Sequence, residues 1–195
     1  MLIKNSIENF SQKIASSEYP VPAGGSAAAN TALLGACLLK LVFKVSKKSA
    51  KQNQKKKLTA SIAELSQLKK KFLAAIDEDV KNFKINSESN FSQPEKLKKL
   101  IDPLVELATA SLTALEIAQK HRAIIKNSVL ADYQVALFNL EASIKGSLAI
   151  VEANYNFFKP EKKYIKEIKL KVEKSKDKVQ VLFDMPRRKC PWGAD

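Results

Sequence analysis

Pro20-Val21-Pro22-Ala23-Gly24-Gly25-Ser26 runs straight into Ala27-Ala28-Ala29-Asn30-Thr31-Ala32-Leu33-Leu34-Gly35-Ala36-Cys37-Leu38-Leu39. The two prolines hold the backbone extended, because each fixes its own φ and pushes the residue before it out of the helical region. Gly24 and Gly25 then permit a tight turn and a close approach of the backbone to a ligand or another chain. Ser26 is suited to cap the helix that follows. The first turn of that helix offers unpaired N–H groups and a partial positive charge, the ingredients of an anion site. A loop and helix start with no ligand would carry the same residues. The stretch is not a phosphate-binding P-loop, since no Gly-Lys-Ser/Thr closes it, nor a dinucleotide fingerprint, since no strand-like run precedes it.

Outward from this stretch, composition narrows the class. A chain of 195 residues, 45% hydrophobic, can bury one good core. Five glycines and seven prolines leave little material for a turn-rich all-β fold. Ala27 to Phe43 is the most apolar run, but Asn30, Thr31 and Lys40 interrupt it, and it is short for a bilayer span of about 20 residues. It reads as a buried helix, with no membrane partner. Residues 1–10 have no apolar core segment of the kind a secretory signal needs, and Cys37 and Cys190 make no disulfide framework, so the cytoplasm is the expected compartment.

The net charge of +14 raises nucleic acid as a partner. The basic residues are lysines apart from Arg122, Arg187 and Arg188, whereas phosphate clamping and base readout favour arginine's planar fork. Interleaved with glutamate and glutamine, the lysines read as a solvated face, and nucleic acid is not the expected partner. The positive field would instead attract anionic metabolites.

Helical periodicity fills the chain. Residues 6–16 read as a short amphipathic helix on Ile7, Phe10 and Ile14, and residues 26–46 as the central helix. Lys47 to Lys57 is basic and exposed. Leu58, Ile62, Leu65, Leu68, Phe72 and Ile76 carry a long helix through Asp77-Glu78-Asp79 to Phe83. Asn- and Ser-rich residues 85–94 read as a loop. Further stripes follow over 97–115, 130–155 and 161–183, with Pro103 kinking the first of these or marking its start. The expectation is an all-α multihelical bundle of five to six helices, a single domain over 1–183 with a loose tail at 184–195.

Several of these segments resemble one family. The loop is similar to the P-x-P-G-G-G-S-x-A-A signature of the formiminotetrahydrofolate cyclodeaminase and methenyltetrahydrofolate cyclohydrolase family. Asp77-Glu78-Asp79-Val80-Lys81-Asn82-Phe83 resembles its D-E-D-A-x-A-F segment, and Ile101-Asp102-Pro103-Leu104 a later V-P-L. Asp132-Tyr133-Gln134-Val135-Ala136 resembles its S-D-x-x-V-A, and Asn154 falls on the second asparagine of N-V-x-I-N. Ala23, Ala131 and Ile150 stand where the pattern has glycine, serine and asparagine, and Asn127 is one residue out of register. These departures would suit a helical binding or scaffold protein that keeps the fold without the activity.

The resemblance implies a homodimer acting on a tetrahydrofolate derivative, with no metal or redox cofactor. Because the chain has no room for a formiminotransferase domain, it is expected either to work with a separate formiminotransferase or to serve as a cyclohydrolase alone. The methenyl compound carries a cationic amidinium bridge. A carboxylate beside it would stabilise the cation and serve as general base for the attacking water. In the cyclodeaminase direction one nitrogen attacks the formimino carbon and ammonia leaves, which needs a proton donor. Gly24, Gly25, Ser26 and Asn154 would hold the folate, and the lysines would suit a polyglutamate tail.

Asp79, Asp77 and Asp132 are the candidate catalytic carboxylates. Residues two apart on a helix point about 200° apart, so Asp77 and Asp79 cannot form a dyad. Asp79 continues the apolar stripe and is preferred, either as a site residue or as a buried partnered carboxylate. Asp132 is a site residue or the N-cap of the helix after it. The lone His121, between Lys120 and Arg122, reads as sitting on an exposed helix end. With no second histidine and no close cysteine pair, a zinc site is not expected.

Overall fold

The computed structural model describes residues 6–17 and 21–184. Pro20 and the tail from residue 185, with Arg187, Arg188 and Cys190, lie outside the described residues. Six α-helices follow in order: α1 (Ile7–Ala15), α2 (Gly24–Ser49), α3 (Gln52–Ser87), α4 (Pro94–His121), α5 (Leu130–Phe158) and α6 (Lys162–Asp184), with two 3-10 turns between α4 and α5. The described residues contain no strand. The expected all-α bundle is the observed fold.

Local chemistry sets the ends of several helices. Ser6 caps α1, its hydroxyl accepting from the Asn9 N–H at 3.1 Å. Pro94 opens α4 in the first turn, where its missing N–H costs nothing. Lys159 adopts φ 47° just past α5, and its N–H closes on the Tyr155 carbonyl before Pro160. The expected loop at 85–94 is shorter than read, since α3 continues to Ser87. Pro103 lies inside α4 and does not start it. It cannot supply the N–H that would have bonded the Lys99 carbonyl.

Short connections make α2, α3, α4 and α5 run alternately up and down, and α5 returns beside α2 to close the bundle. Leu39, Val42, Phe43, Leu65, Phe72, Leu115, Leu140 and Ile144 fill its centre, each fully buried. By length and composition α2 could cross a bilayer, but half of its most apolar window is buried against the neighbouring helices. The small face of α2 explains how close those neighbours come. A methyl group on Gly35 would lie 3.0 Å from Leu140 Cγ and 3.1 Å from the Ala136 carbonyl oxygen. That face therefore packs on α5 within the chain. The exposed side of the α2–α5 pair instead carries Leu34, Leu41, Val135 and Phe138, each roughly half exposed.

Helix α6 lies parallel to α4 on the outside. Tyr164 donates to Asp102 Oδ1 at 2.8 Å near one end, and Gln119 Nε2 donates to the Leu182 carbonyl at 3.1 Å near the other.

Candidate active site

Asp79 and Ser26 meet at the amino end of α2. The Ser26 N–H donates to Asp79 Oδ2 at 2.9 Å, and the Ser26 hydroxyl lies 3.0 Å from the same oxygen and 2.9 Å from the Ile76 carbonyl. Ser26 is fully buried. This corrects the reading of Ser26 as the helix cap. The helix begins two residues earlier, at Gly24, and the carboxylate that satisfies its first turn comes from α3, 53 residues away. Asp79 thus occupies the anion site expected at this terminus, where a negative charge contributes up to about 2 kcal/mol in a partly buried setting.

Gly24 and Gly25 are likewise the first residues of α2, not a turn, and no described glycine has positive φ. Their value is close approach. A methyl on Gly25 would fall 2.6 Å from Asp79 Cγ and onto its Oδ1. Ile150 packs against Gly24 from α5, its Cδ1 2.9 Å from where a methyl would stand. Asn154, one turn after Ile150 and half buried, is on that same side of α5 by helical register.

Beside the carboxylate is a cavity of about 20 Å³, lined among others by Gly25, Asp79, Asn82, Lys99 and Pro103. That is room for one water beside the carboxylate. Neither Asn82 nor Lys99 stands out in the sequence, although residues 99, 103 and 107 fall on one face of α4. A groove of about 650 Å³ between α3 and α4 adjoins this cavity and shares Ala75, Pro103 and Leu107 with it.

The other candidates are placed elsewhere. Asp77 is half buried on α3, pointing away from Asp79 as helical geometry requires. Asp132 is the third residue of α5, and Val129, not Asp132, takes the cap position. Its level is set by the backbone N–H of Lys126, which bonds Ser46 Oγ at 3.0 Å, and by Ala136, which packs opposite Gly35. At 1.5 Å per residue along α2, Asp132 lies about 20 Å from Ser26, toward the opposite end of the bundle. One chain therefore brings Asp79, Gly25, Ser26 and Asn154 to one end and leaves Asp132 near the other. Among the described residues no group of three or more His, Cys, Asp or Glu is placed to hold a metal ion.

His121 corrects the reading of an exposed residue. It is 3% exposed, its Nε2 lies 2.8 Å from Ser61 Oγ, and its ring meets Phe43 edge-on at 5.2 Å. Burial chiefly, with Lys120 and Lys57 and against Glu64, holds its pKa below the ordinary histidine value. The folded state then binds the proton less readily than the unfolded state. Stability should be level above an unfolded pKa of about 6.5 and fall as pH drops below it. Melting temperatures from pH 8 to 5 test this, and His121→Asn should flatten the slope between pH 6.5 and 5.

The family model described as formiminotransferase-cyclodeaminase matches residues 6–174. The fold is similar to the crystal structure of formiminotetrahydrofolate cyclodeaminase from Thermotoga maritima, with TM-score 0.87, 13% identity and 94% of each chain covered. No curated protein matches the sequence.

Proposed function

The chain belongs to the formiminotransferase-cyclodeaminase family, and from that membership we propose that it is a folate enzyme acting on the one-carbon bridge of tetrahydrofolate. The reaction is hydrolysis of the 5,10-methenyl bridge, or closure of that bridge from a formimino group with loss of ammonia. The observation that supports this best is the carboxylate of Asp79, held through Oδ2 by Ser26 while it borders a cavity the size of one water. In hydrolysis Asp79 takes a proton from water adding to the cationic bridge carbon. The same charge stabilises the amidinium before attack. In the deaminase direction Lys99, on the same cavity, is the cation placed to protonate departing ammonia. In that direction the formimino group would be supplied by a formiminotransferase.

The test is the absorbance of 5,10-methenyltetrahydrofolate mixed with the protein, against a control without it. Asp79→Asn should lower turnover by about a hundredfold or more, the scale of a lost general base, while circular dichroism stays unchanged. Wild-type turnover in Asp79→Asn would remove Asp79 from the chemistry. Neither chromophore loss nor ammonia release from formiminotetrahydrofolate by the wild type would leave Asp79 as a helix cap in a scaffold protein.

We further propose a homodimer built on the exposed side of α2 and α5. Leu34 and Leu41 are two turns apart on α2, and Val135 and Phe138 are neighbours on α5, so the patch forms a two-helix apolar stripe. A two-fold axis crossing the pair at the level of Leu34 would bring the second copy's Asp132 level with Ser26.

A further inference from the structure

The fold gathers positive charge at one end of the bundle, where α2 turns into α3 and α4 into α5. The chain has no acid from residue 19 to residue 63, and eight lysines stand between residues 40 and 57. A second acid-free stretch, residues 117–131, carries Lys120, Arg122 and Lys126. Two contacts join the stretches. The Lys126 N–H donates to Ser46 Oγ at 3.0 Å, and His121 Nε2 lies 2.8 Å from Ser61 Oγ. The opposite end is balanced, with five acids and five lysines over residues 77–99.

On α6 the lysines are neutralised locally, since Lys171, Lys176 and Lys178 pair with glutamates within 3.5 Å. Among the described residues, none of the cations over 40–57 and 120–126 has an ion-pair partner. The interleaved, solvated face expected for the lysines is found on α6 and not at this end. Like charges gathered in this way repel one another, and a polyanion relieves them.

We propose that this end binds the phosphate backbone of a nucleic-acid duplex without reading its sequence. Residues 47–57 and 120–129 contain one arginine and no Phe, Tyr or Trp. One fork and no ring leave little to read base edges or to stack unpaired bases. The scarcity of arginine, which tells against base readout, suits this mode. None of the large exposed hydrophobic side chains lies in these stretches, so the apolar centre of a protein interface and the anchor of a membrane-bound one are both missing. Between the lysines, Gln52, Asn53, Asn127 and Ser128 are exposed, side chains of the kind that contact phosphate and sugar. Four helices packed about 8–10 Å apart make an end about 20 Å across. That is the length of about six base pairs, of whose phosphates roughly five face the protein.

Fluorescence anisotropy with short DNA duplexes of two unrelated sequences tests this. Both should bind equally at 50 mM salt and about 500-fold more weakly at 200 mM, a log–log slope of about −4.5. Lys48→Gln, Lys56→Gln and Lys126→Gln together should weaken binding at 50 mM by at least about thirtyfold and bring the slope to about −2. Lys163→Gln, Lys166→Gln and Lys174→Gln on α6 remove the same net charge and should leave affinity and slope nearly unchanged. Equal weakening in the two triple variants would reduce the binding to net charge and overturn the site. No duplex binding at 50 mM salt would overturn it too, as would binding to phosphatidylserine vesicles in its place.

Discussion

Replacing Gly25 with alanine is expected to abolish turnover and to destabilise the fold, although alanine is the better helix former. The added methyl would fall on Asp79 Oδ1 and 2.6 Å from Cγ. The carboxylate cannot simply rotate away, because Oδ2 is held by the Ser26 N–H at 2.9 Å and approached by its hydroxyl at 3.0 Å. Either Asp79 leaves the amino end of α2 or α2 moves off α3. Overpacking of this kind costs about 1–3 kcal/mol, against a gain of about 1 kcal/mol in helix propensity. Removing Asp79 should reverse the sign. In an Asp79→Ala background the obstruction is gone, and Gly25→Ala should stabilise by roughly 0.5–1 kcal/mol. Urea unfolding of the four proteins closes the cycle. Equal effects of Gly25→Ala in both backgrounds would mean that the glycine serves something other than the carboxylate.

The contrast between Gly25 and Ser26 shows where sequence rules stop. A serine after two glycines and before an alanine run is what local capping statistics assign to a helix start. The real cap is a carboxylate 53 residues away, so the helix can begin at Gly24 with no capping side chain of its own. No window on the sequence contains that pair. Its long-range half was nonetheless visible from the other side. Leu65, Leu68, Phe72 and Ile76 are all buried, and the stripe they make leads on to Asp79 and separates it from Asp77. An acid that continues an apolar stripe must find a partner, and it did.

His121 departs from the sequence expectation for a different reason. Its neighbours Lys120 and Arg122 made the segment look polar, yet Ala114, Ala118 and His121 follow the helical period and all three are buried. Period outranks immediate neighbours, and the signal was present. Asn82 and Lys99 had no such signal. Lys99 sits in the run Lys98-Lys99 and looks like any solvated lysine, and only the packing of α4 on α3 brings it to the cavity. A bundle of five to six helices is legible because the stripes of α2 to α6 are long. The grouping of side chains at α2's amino end was not, because it depends on which helices become neighbours.

Mixing two inactive variants should restore activity if Asp132 serves the site across the dimer. Within one chain Asp132 is about 20 Å along α2 from Ser26, too far to touch a substrate held at Asp79. An isologous pair whose axis crosses α2 at Leu34 carries each Asp132 toward the other copy's Ser26 end. Asp79→Asn and Asp132→Asn should then each be inactive alone. After denaturation and refolding together, half of the dimers are mixed, and each mixed dimer has one site with both carboxylates intact. Turnover should return to about a quarter of the wild-type rate. A Leu34→Glu, Val135→Glu variant places like charges across the same face, so it should run as a monomer in gel filtration and lose turnover with Asp79 in place. Full activity in Asp132→Asn alone would limit Asp132 to the first turn of α5, where a carboxylate favours the helix dipole. Inactive single variants that stay inactive after mixing would exclude the shared site.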